Sequence, residues 1–497
     1  MDIEIYKKNE STLTIQCNSS ISNELYNFFS CFSSNYKFDP RYKLGVWDGK
    51  LHFFNKQTNE ISVGLYDKIF EFAKKGNYNI ESKFKFYNEI SRDKFQKFID
   101  YLQLPYPLRP YQFEAAYEAC CRKHINIHIS TAGGKSLIIY IICRFMSQQN
   151  KKILLLCPQT QLTEQMLGDF ENYGWDVYKN CRTIYGGQIK NFDKPVSICT
   201  WQTILSEIIK TKAGKIMVSE FDCIICDEAQ TAQGKSIQSI SKLAINADYR
   251  FGFSGTYPNE GSAEWYSIVG AFGPIKTFAD YKHLQNNGYI AKIKLFSLLL
   301  SYPKEDKVCL YNTCGIDYQK QNDFIYGNEK RNKFLVKLVQ KIEENCLLLF
   351  TKKEKHGYIV RDLLEKELKD KTIIYLDGDS SVDEREDVRK ILETNNNIVL
   401  IASYGILSAG WSVNNLHNII FVSGYKSKIK VLQSIGRGLR LHKDKKYLKL
   451  YDLIDDYSFN DRKNSISFKN HSLKHASERE KIYNEQGWAI KTIKIKL

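Results

Sequence analysis

The stretch that most constrains this chain is Ser130-Thr131-Ala132-Gly133-Gly134-Lys135-Ser136. An apolar run, Ile125-Asn126-Ile127-His128-Ile129, leads into it as a buried strand would, and an apolar helical run, Leu137 to Met146, leaves it. A strand that feeds a helix through a glycine-rich turn belongs to an α/β layer fold with parallel strands. It also builds an anion site. Glycines lack a Cβ, so backbone N–H groups can close on an oxyanion, and the helix N-terminus adds the positive end of its dipole. Lys135 is then placed to reach the outer phosphates of a nucleotide, and Ser136 to hold Mg²⁺. The strict phosphate-loop pattern has a glycine where this chain has Ile129, so the loop is a variant of that pattern.

The same unit recurs downstream. Lys152 to Cys157, Val196 to Thr200, Phe221 to Cys226 and Tyr249 to Phe253 are short apolar runs. They end at Pro158-Gln159-Thr160, Trp201-Gln202-Thr203, Asp227-Glu228-Ala229-Gln230 and Ser254-Gly255-Thr256. Strands buried on both faces form a parallel sheet whose ligands gather at its carboxyl edge. There Asp227 suits Mg²⁺ ligation through water, and Glu228 suits orienting and deprotonating an attacking water. Upstream of the loop, Arg109-Pro110-Tyr111-Gln112 offers an aromatic ring to stack on adenine and an amide to read its edge; an ordinary helix start is the alternative.

A second α/β unit begins near Leu295, with strand candidates Asn345 to Thr351, Thr372 to Leu376, Ile398 to Ser403, Asn418 to Val422 and Tyr447 to Ile454. It has no phosphate loop. It has Gln433-Ser434-Ile435-Gly436-Arg437-Gly438-Leu439-Arg440, which read as a helix puts Gln433, Arg437 and Arg440 on one face. Planar arginine forks suit the charge that develops on a transferring phosphoryl group. After the strand ending at Ser403, the loop Tyr404 to Ser412 is punctuated by Gly405 and Gly410. Ser403 suits a nucleic-acid phosphate, and Gly410 and Ser412 the nucleotide.

Before the first α/β unit, residues 1–105 carry no nucleotide motif. Leu13 to Cys17 alternates as a strand, while Ser20 to Phe32 and Ser91 to Leu102 read as helices. Phe38 to Lys50 interleaves Arg41, Tyr42, Lys43, Trp47 and Lys50, a pattern that suits phosphate contact and base stacking; a hairpin packed on its own aromatics is the alternative. The prolines of Leu104 to Pro110 mark a linker. The formal net charge of +16 and pI near 9.0 point to a polyanionic partner. No run approaches the ~20 apolar residues of a membrane span. The start, Met1-Asp2-Ile3-Glu4, has no secretion signal. Thirteen cysteines, several inside apolar runs, read as buried thiols in a reducing, cytoplasmic compartment, and Cys223-Ile224-Ile225-Cys226 lacks the second pair a zinc site needs.

Taken together, Arg109-Pro110-Tyr111-Gln112, Gly133-Gly134-Lys135-Ser136, Asp227-Glu228-Ala229-Gln230, Ser254-Gly255-Thr256 and Gln433…Gly436-Arg437…Arg440 resemble the motifs of superfamily 2 helicases. A narrower resemblance, to the recombination helicases of T-even phages, spans nearly the whole chain. It is carried by Pro40-Arg41-Tyr42…Trp47-Asp48-Gly49, Thr200-Trp201-Gln202-Thr203, Ala402-Ser403-Tyr404-Gly405 and Asp452-Leu453-Ile454-Asp455-Asp456, among others. The resemblance implies two tandem RecA-like parallel-sheet domains, at 106–290 and 291–465. A small N-terminal α+β DNA-binding domain (1–105) would precede them and a helical tail (466–497) follow. It implies a monomer that uses ATP and Mg²⁺ on branched DNA or an RNA–DNA hybrid, in the host cytoplasm. It implies catalysis by Lys135, Asp227, Glu228, Gln433, Arg437 and Arg440. Nucleotide contacts would come from Tyr111, Gln112, Thr131, Ala132, Gly133, Gly134, Ser136, Gly410 and Ser412. Nucleic-acid contacts would come from Arg41, Lys43, Trp47, Lys50, Gln159, Thr160, Thr200, Gln202, Thr351 and Ser403. Gln230 stands where many relatives have His, and Ser412 where many have Asp. An RNA-directed helicase and a double-stranded DNA translocase that does not unwind are the competing expectations.

Overall fold

The computed structural model describes residues 1–187, 190–231, 235–350, 356–376, 380–404, 413–461 and 466–497. The chain divides into two compact units, Met1–Ser130 with Gly134–Asp280, and Tyr281–Leu497 with Thr131–Gly133.

The first unit opens with β1 (Ile3–Asn9) and β2 (Thr12–Cys17), paired antiparallel. A separate ribbon, β3 (Ser30–Phe32) and β4 (Lys50–His52), follows, and then β5 (Phe54–Asn55), β6 (Glu60–Ser62) and β7 (Ile80–Ser82). Five of these form a mixed sheet in the order β5-β6-β2-β1-β7. Ile3, Ile5, Leu13 and Ile15 alternate with polar neighbours, so one face is buried. Trp265 and Val269, from the helix Ala263–Phe272 much later in the chain, complete that core. Gly64 packs so closely on the same helix that a Cβ would lie 2.0 Å from the Val269 carbonyl oxygen. The N-terminal segment is thus welded to the sheet that follows it. The helix expected over Ser20 to Phe32 ends at Phe28. Phe29 caps it with a fully buried ring, and the next three residues find strand partners in β4.

That second sheet contains β8 (His124–Ile129), β9 (Ile153–Cys157), β10 (Cys181–Ile184), β11 (Val196–Thr200), β12 (Cys223–Cys226), β13 (Tyr249–Ser254) and β14 (Ile275–Ala279). All pairings are parallel, in the order β10-β11-β9-β12-β13-β8-β14. Cys223 and Cys226 are both buried in β12 and, three residues apart on a strand, face opposite sides of the sheet.

The second unit holds another parallel seven-stranded sheet. It contains β15 (Lys292–Ser301), β16 (Cys346–Phe350), β17 (Thr372–Leu376), β18 (Ile398–Ser403), β19 (Asn418–Phe421) and β20 (Tyr447–Asp456). After a short hairpin, β21 (Phe459–Asp461) and β22 (Ile466–Phe468), and the helix His471–Glu485, the chain returns as β23 (Ile490–Lys496). The order is β17-β18-β16-β19-β20-β15-β23. Two parallel sheets flanked by helices, behind a small mixed-sheet segment, are the tandem RecA-like architecture expected. The tail is more than a helix, because its last strand closes the edge of the second sheet beside β15. Among the described residues no helix is long and apolar enough to cross a membrane.

Candidate active site

The sheet order gathers the chemistry-bearing turns of the first unit. β12, β13 and β8 are consecutive neighbours, so Asp227-Glu228, Ser254-Gly255-Thr256 and the glycine turn share one stretch of the carboxyl edge. β11 and β9 lie next along the same edge, bringing Thr200-Trp201-Gln202 and Pro158-Gln159-Thr160 alongside.

The glycine turn is built on left-handed backbone. Gly134 has φ +75°, and Ala132, which carries a Cβ, has φ +67°. Lys135 is the first residue of the helix Lys135–Ser147. Its ammonium lies 3.3 Å from Glu228 Oε1. Burial opposes that charge, but the Glu228 and Asp227 carboxylates outweigh it and hold Lys135 above its ordinary pKa. Asp227 responds the other way. Burial and the adjacent Glu228 charge push its carboxyl up to about 6, with Lys135 only partly offsetting them. A buried and a half-buried acid against one ammonium leave a surplus of negative charge that a divalent cation would neutralise, and the Ser136 hydroxyl lies at the same turn. The donor set therefore fits Mg²⁺ with a polyphosphate.

Glu228 is itself in left-handed backbone, φ +50°. Its second oxygen accepts from the Gln230 amide, and the Gln230 carbonyl oxygen accepts from the Ser254 hydroxyl. Ser254 Oγ in turn receives the Thr256 N–H at 2.9 Å. A hydrogen-bonded chain thus runs from Glu228 to the turn after β13. Ser136 Oγ is 3.0 Å from the hydroxyl of Tyr173, which caps the helix Thr160–Asn172. Tyr173 carries no signature in the sequence that would have marked it.

The structure distributes the other candidates unevenly. Gln112 ties the start of the helix Pro110–Arg122 to the glycine turn, its amide donating to the Gly134 carbonyl at 3.4 Å and its oxygen receiving the Arg109 N–H at 3.0 Å. Tyr111, expected as a stacking platform, is instead only 5% exposed, with its hydroxyl accepting from Arg109. Thr131 and Gly133 lie in the turn. Gln159 and Thr160 are exposed, whereas Thr200 is buried against Thr203 at 2.8 Å and Gln202 donates to the Pro158 carbonyl at 2.8 Å. In the N-terminal ribbon, Arg41 and Lys43 are exposed and Trp47 and Lys50 half-buried.

In the second unit Gln433 is half-buried and Arg437 buried, both on the helix Lys428–Gly438. Arg440 is exposed and lies beyond that helix, so the shared helical face expected for all three holds only for the first two. The helix ends at Gly438, which packs against Leu448 and Ile419, and Leu439 caps it through its N–H to the Gly436 carbonyl. Ser403 is half-buried at the end of β18. Thr351, Gly410 and Ser412 lie outside the described residues.

Three family models match consecutive parts of the chain: DNA helicase UvsW, N-terminal, at residues 2–83; type III restriction enzyme, res subunit, at 105–259; and helicase conserved C-terminal domain at 330–442. The ATP-dependent DNA helicase uvsW of Enterobacteria phage T4 is 33% identical over 517 aligned residues that take in 100% of both chains. The chain belongs to the UvsW family of superfamily 2 helicases. The crystal structure of T4 UvsW superposes with a TM-score of 0.51 at 31% identity, covering 99% of this chain and 100% of that one. The type ISP restriction-modification enzyme LlaBIII bound to DNA has a TM-score of 0.57 over 79% of this chain and 32% of its own. At 14% identity it shows the shared fold alone. As a member of the UvsW family the chain is an ATP-dependent helicase that uses nucleotide and binds nucleic acid.

Proposed function

We propose that this UvsW-family helicase hydrolyses ATP with Mg²⁺ and converts each cycle into movement on branched DNA, regressing forks, migrating junctions and unwinding R-loops. The observation that carries the reading is the Lys135–Glu228 ion pair of 3.3 Å beside the glycine turn, in a chain that aligns end to end with a DNA helicase. Without nucleotide, Lys135 neutralises Glu228. A polyphosphate in the turn competes for the ammonium and releases the carboxylate to orient and deprotonate water. Gln230 keeps Glu228 aimed during that exchange. Ser136 and Asp227 would hold Mg²⁺, which supplies charge neutralisation on the β- and γ-phosphate oxygens when bound. Arg437 and Arg440 act on the γ-phosphate as charge shifts, with Gln433 beside them.

We read residues 1–105 as the DNA-binding accessory domain, 106–290 and 291–465 as the two motor domains, and 466–497 as the tail. The enzyme acts as a monomer in the cytoplasm. The match of residues 2–83 to the UvsW N-terminal model supports DNA over RNA. The test compares ATPase stimulation and strand displacement on forked DNA, linear duplex, an R-loop and single-stranded RNA. Forked DNA is expected to stimulate best. RNA stimulating best, or ATPase without displacement on any DNA, overturns the reading. Lys135→Ala should abolish hydrolysis and leave DNA affinity at matched salt unchanged.

A further inference from the structure

The ribbon β3–β4 carries residues 33–49, and what they show to solvent is not what their composition suggests. The ribbon's rings pair with one another while staying partly open to solvent, Phe32 at 52% and Tyr42 at 37% exposure. Phe32 stacks on Tyr36 with centroids 4.6 Å apart, Tyr36 meets Tyr42 edge-on at 4.8 Å, and a Cβ on Gly49 would lie 2.7 Å from the Tyr36 ring. Trp47 lies under the Arg41 guanidinium at 5.1 Å and donates to the Lys50 carbonyl. The most exposed apolar side chains of the ribbon are Phe38 at 79% and Leu44 and Val46 at 77% each.

The backbone holds two of them there. Asp39 caps the turn Pro40–Lys43 by accepting the Arg41 N–H, and Gly45, at φ +70°, reverses the chain. The N–H groups of Val46 and Trp47 both return to the Arg41 carbonyl. Leu44 and Val46 therefore flank a pinned left-handed glycine. Large apolar side chains fixed in water forgo about 25 cal/mol for every Å² left uncovered, so such a tip marks a surface that something covers.

The surrounding charge says what. Lys37 and Lys43 lie on the same loop and Lys50 opens β4 at its base, while the acids are committed, Asp39 to Arg41 at 2.9 Å and Asp48 to His52 at 3.1 Å. An apolar tip among lysines complements the end of a duplex, where the flat face of a base pair is flanked by phosphates. The mount is rigid as well. Phe53, next to β4, stacks on Tyr266 at 4.7 Å, and the Tyr266 hydroxyl donates to the Phe28 carbonyl. Tyr266 lies in the helix Ala263–Phe272 that completes the N-terminal core and follows the Ser254-Gly255-Thr256 turn.

We propose that Phe38, Leu44 and Val46 form a strand-separating wedge, which stacks on the last base pair at a DNA branch while Lys37, Lys43 and Lys50 hold the flanking phosphates. The inference rests on the DNA reading above. Because Phe29 and Phe53, which flank the ribbon, pack into a core shared with the helix Ala263–Phe272, advance of the first unit along the duplex drives the tip into the stack, where unstacking costs a few kcal/mol per step.

The test uses the full-length protein and a variant carrying Phe38→Ala, Leu44→Ala and Val46→Ala. These side chains are solvent-exposed, so their truncation leaves the fold intact, which circular dichroism and thermal melting check. Basal ATPase should stay within about twofold. Fork unwinding should fall at least tenfold, which corresponds to about 1.4 kcal/mol. A 2-aminopurine at the branch should brighten when wild type binds and stay dark with the variant, while one placed well inside the duplex stays dark with both. A variant that unwinds normally, or an unchanged branch signal with wild type, overturns the wedge and leaves the tip to a protein partner. Wild type that unwinds no DNA overturns the helicase reading itself, so the two failures are distinct.

Discussion

At the scale of single residues, this chain keeps groups where folding alone would not put them. Ala132 and Glu228 occupy left-handed backbone, each at a cost of order 1–3 kcal/mol. Asp227 is buried beside another carboxylate, and its pKa rises from the usual 3.8 to about 6. At about 1.4 kcal/mol per pH unit, that rise is about 3 kcal/mol of lost stability in the nucleotide-free protein. The sign follows from proton counting. Between pH 3.8 and about 6 the folded state holds the Asp227 proton more tightly than the unfolded chain, so stability falls as pH rises through this window. Above it the loss is complete. Asp227→Asn should therefore raise the melting midpoint of the nucleotide-free protein at pH 7.5, and its advantage should shrink as pH falls to 5. Scanning calorimetry across that range checks it; a variant no more stable than wild type at pH 7.5, or a pH-independent gain, contradicts it. Adding Mg²⁺ and nucleotide should stabilise wild type more than the variant, because only wild type has the charge to be neutralised.

At the scale of elements, the tail shows how a late segment is fixed. Arg479, fully buried on the helix His471–Glu485, makes a bidentate pair with Asp452 of β20 at 2.7 and 2.8 Å, and the Tyr483 hydroxyl donates to the same carboxylate. Removing one partner strands the other charge in the interior, so Asp452→Ala should cost about 3–5 kcal/mol. Replacing both with apolar residues of similar size, Asp452→Leu with Arg479→Met, should recover most of that. Denaturant unfolding of the three proteins decides it; a single variant as stable as wild type would show that the pair does not hold the tail.

The interior strands were legible for a related reason. β9, β12, β16 and β18 are buried on both faces and read as almost wholly apolar runs, while β8, Ile-rich but interrupted by Asn126 and His128, was marked by the glycine turn that follows it. The residues that end them had to share a carboxyl edge. β10, β14 and β23 were not legible: each is an edge strand whose sequence mixes in polar residues, unlike the edge strand β17, whose Ile373, Ile374, Tyr375 and Leu376 still read as an apolar run. Ile490-Lys491-Thr492-Ile493-Lys494-Ile495-Lys496 carries the lysines that protect such an edge and so reads as surface. Nor did spacing reveal that Tyr173 meets Ser136, that Gln112 meets Gly134, or that the exposed tip of the ribbon is Phe38, Leu44 and Val46 rather than Trp47. Those facts depend on contacts between distant residues, which leave no periodic trace.

At the scale of the whole molecule, the asymmetry between the two sheets matters most. The first sheet is followed by a glycine turn, a lysine and two carboxylates; the second is followed by an arginine pair and has no phosphate loop. A unit without a loop has no means of its own to hold a triphosphate. The role proposed for its arginines, on a nucleotide bound by Lys135, can be tested at either residue. Arg440 is the sharper test of the two, since it is exposed whereas Arg437 is buried. If hydrolysis draws on both units, Arg440→Ala should bind a fluorescent ATP analogue within about threefold of wild type. Its turnover should fall by about 10³ or more, the scale of a lost arginine finger. Lys135→Ala should lose both binding and turnover. Single-turnover hydrolysis measured beside equilibrium binding separates the two effects. Normal turnover in Arg440→Ala would remove the second unit from the chemistry, and with it the step by which spending ATP could move one unit against the other.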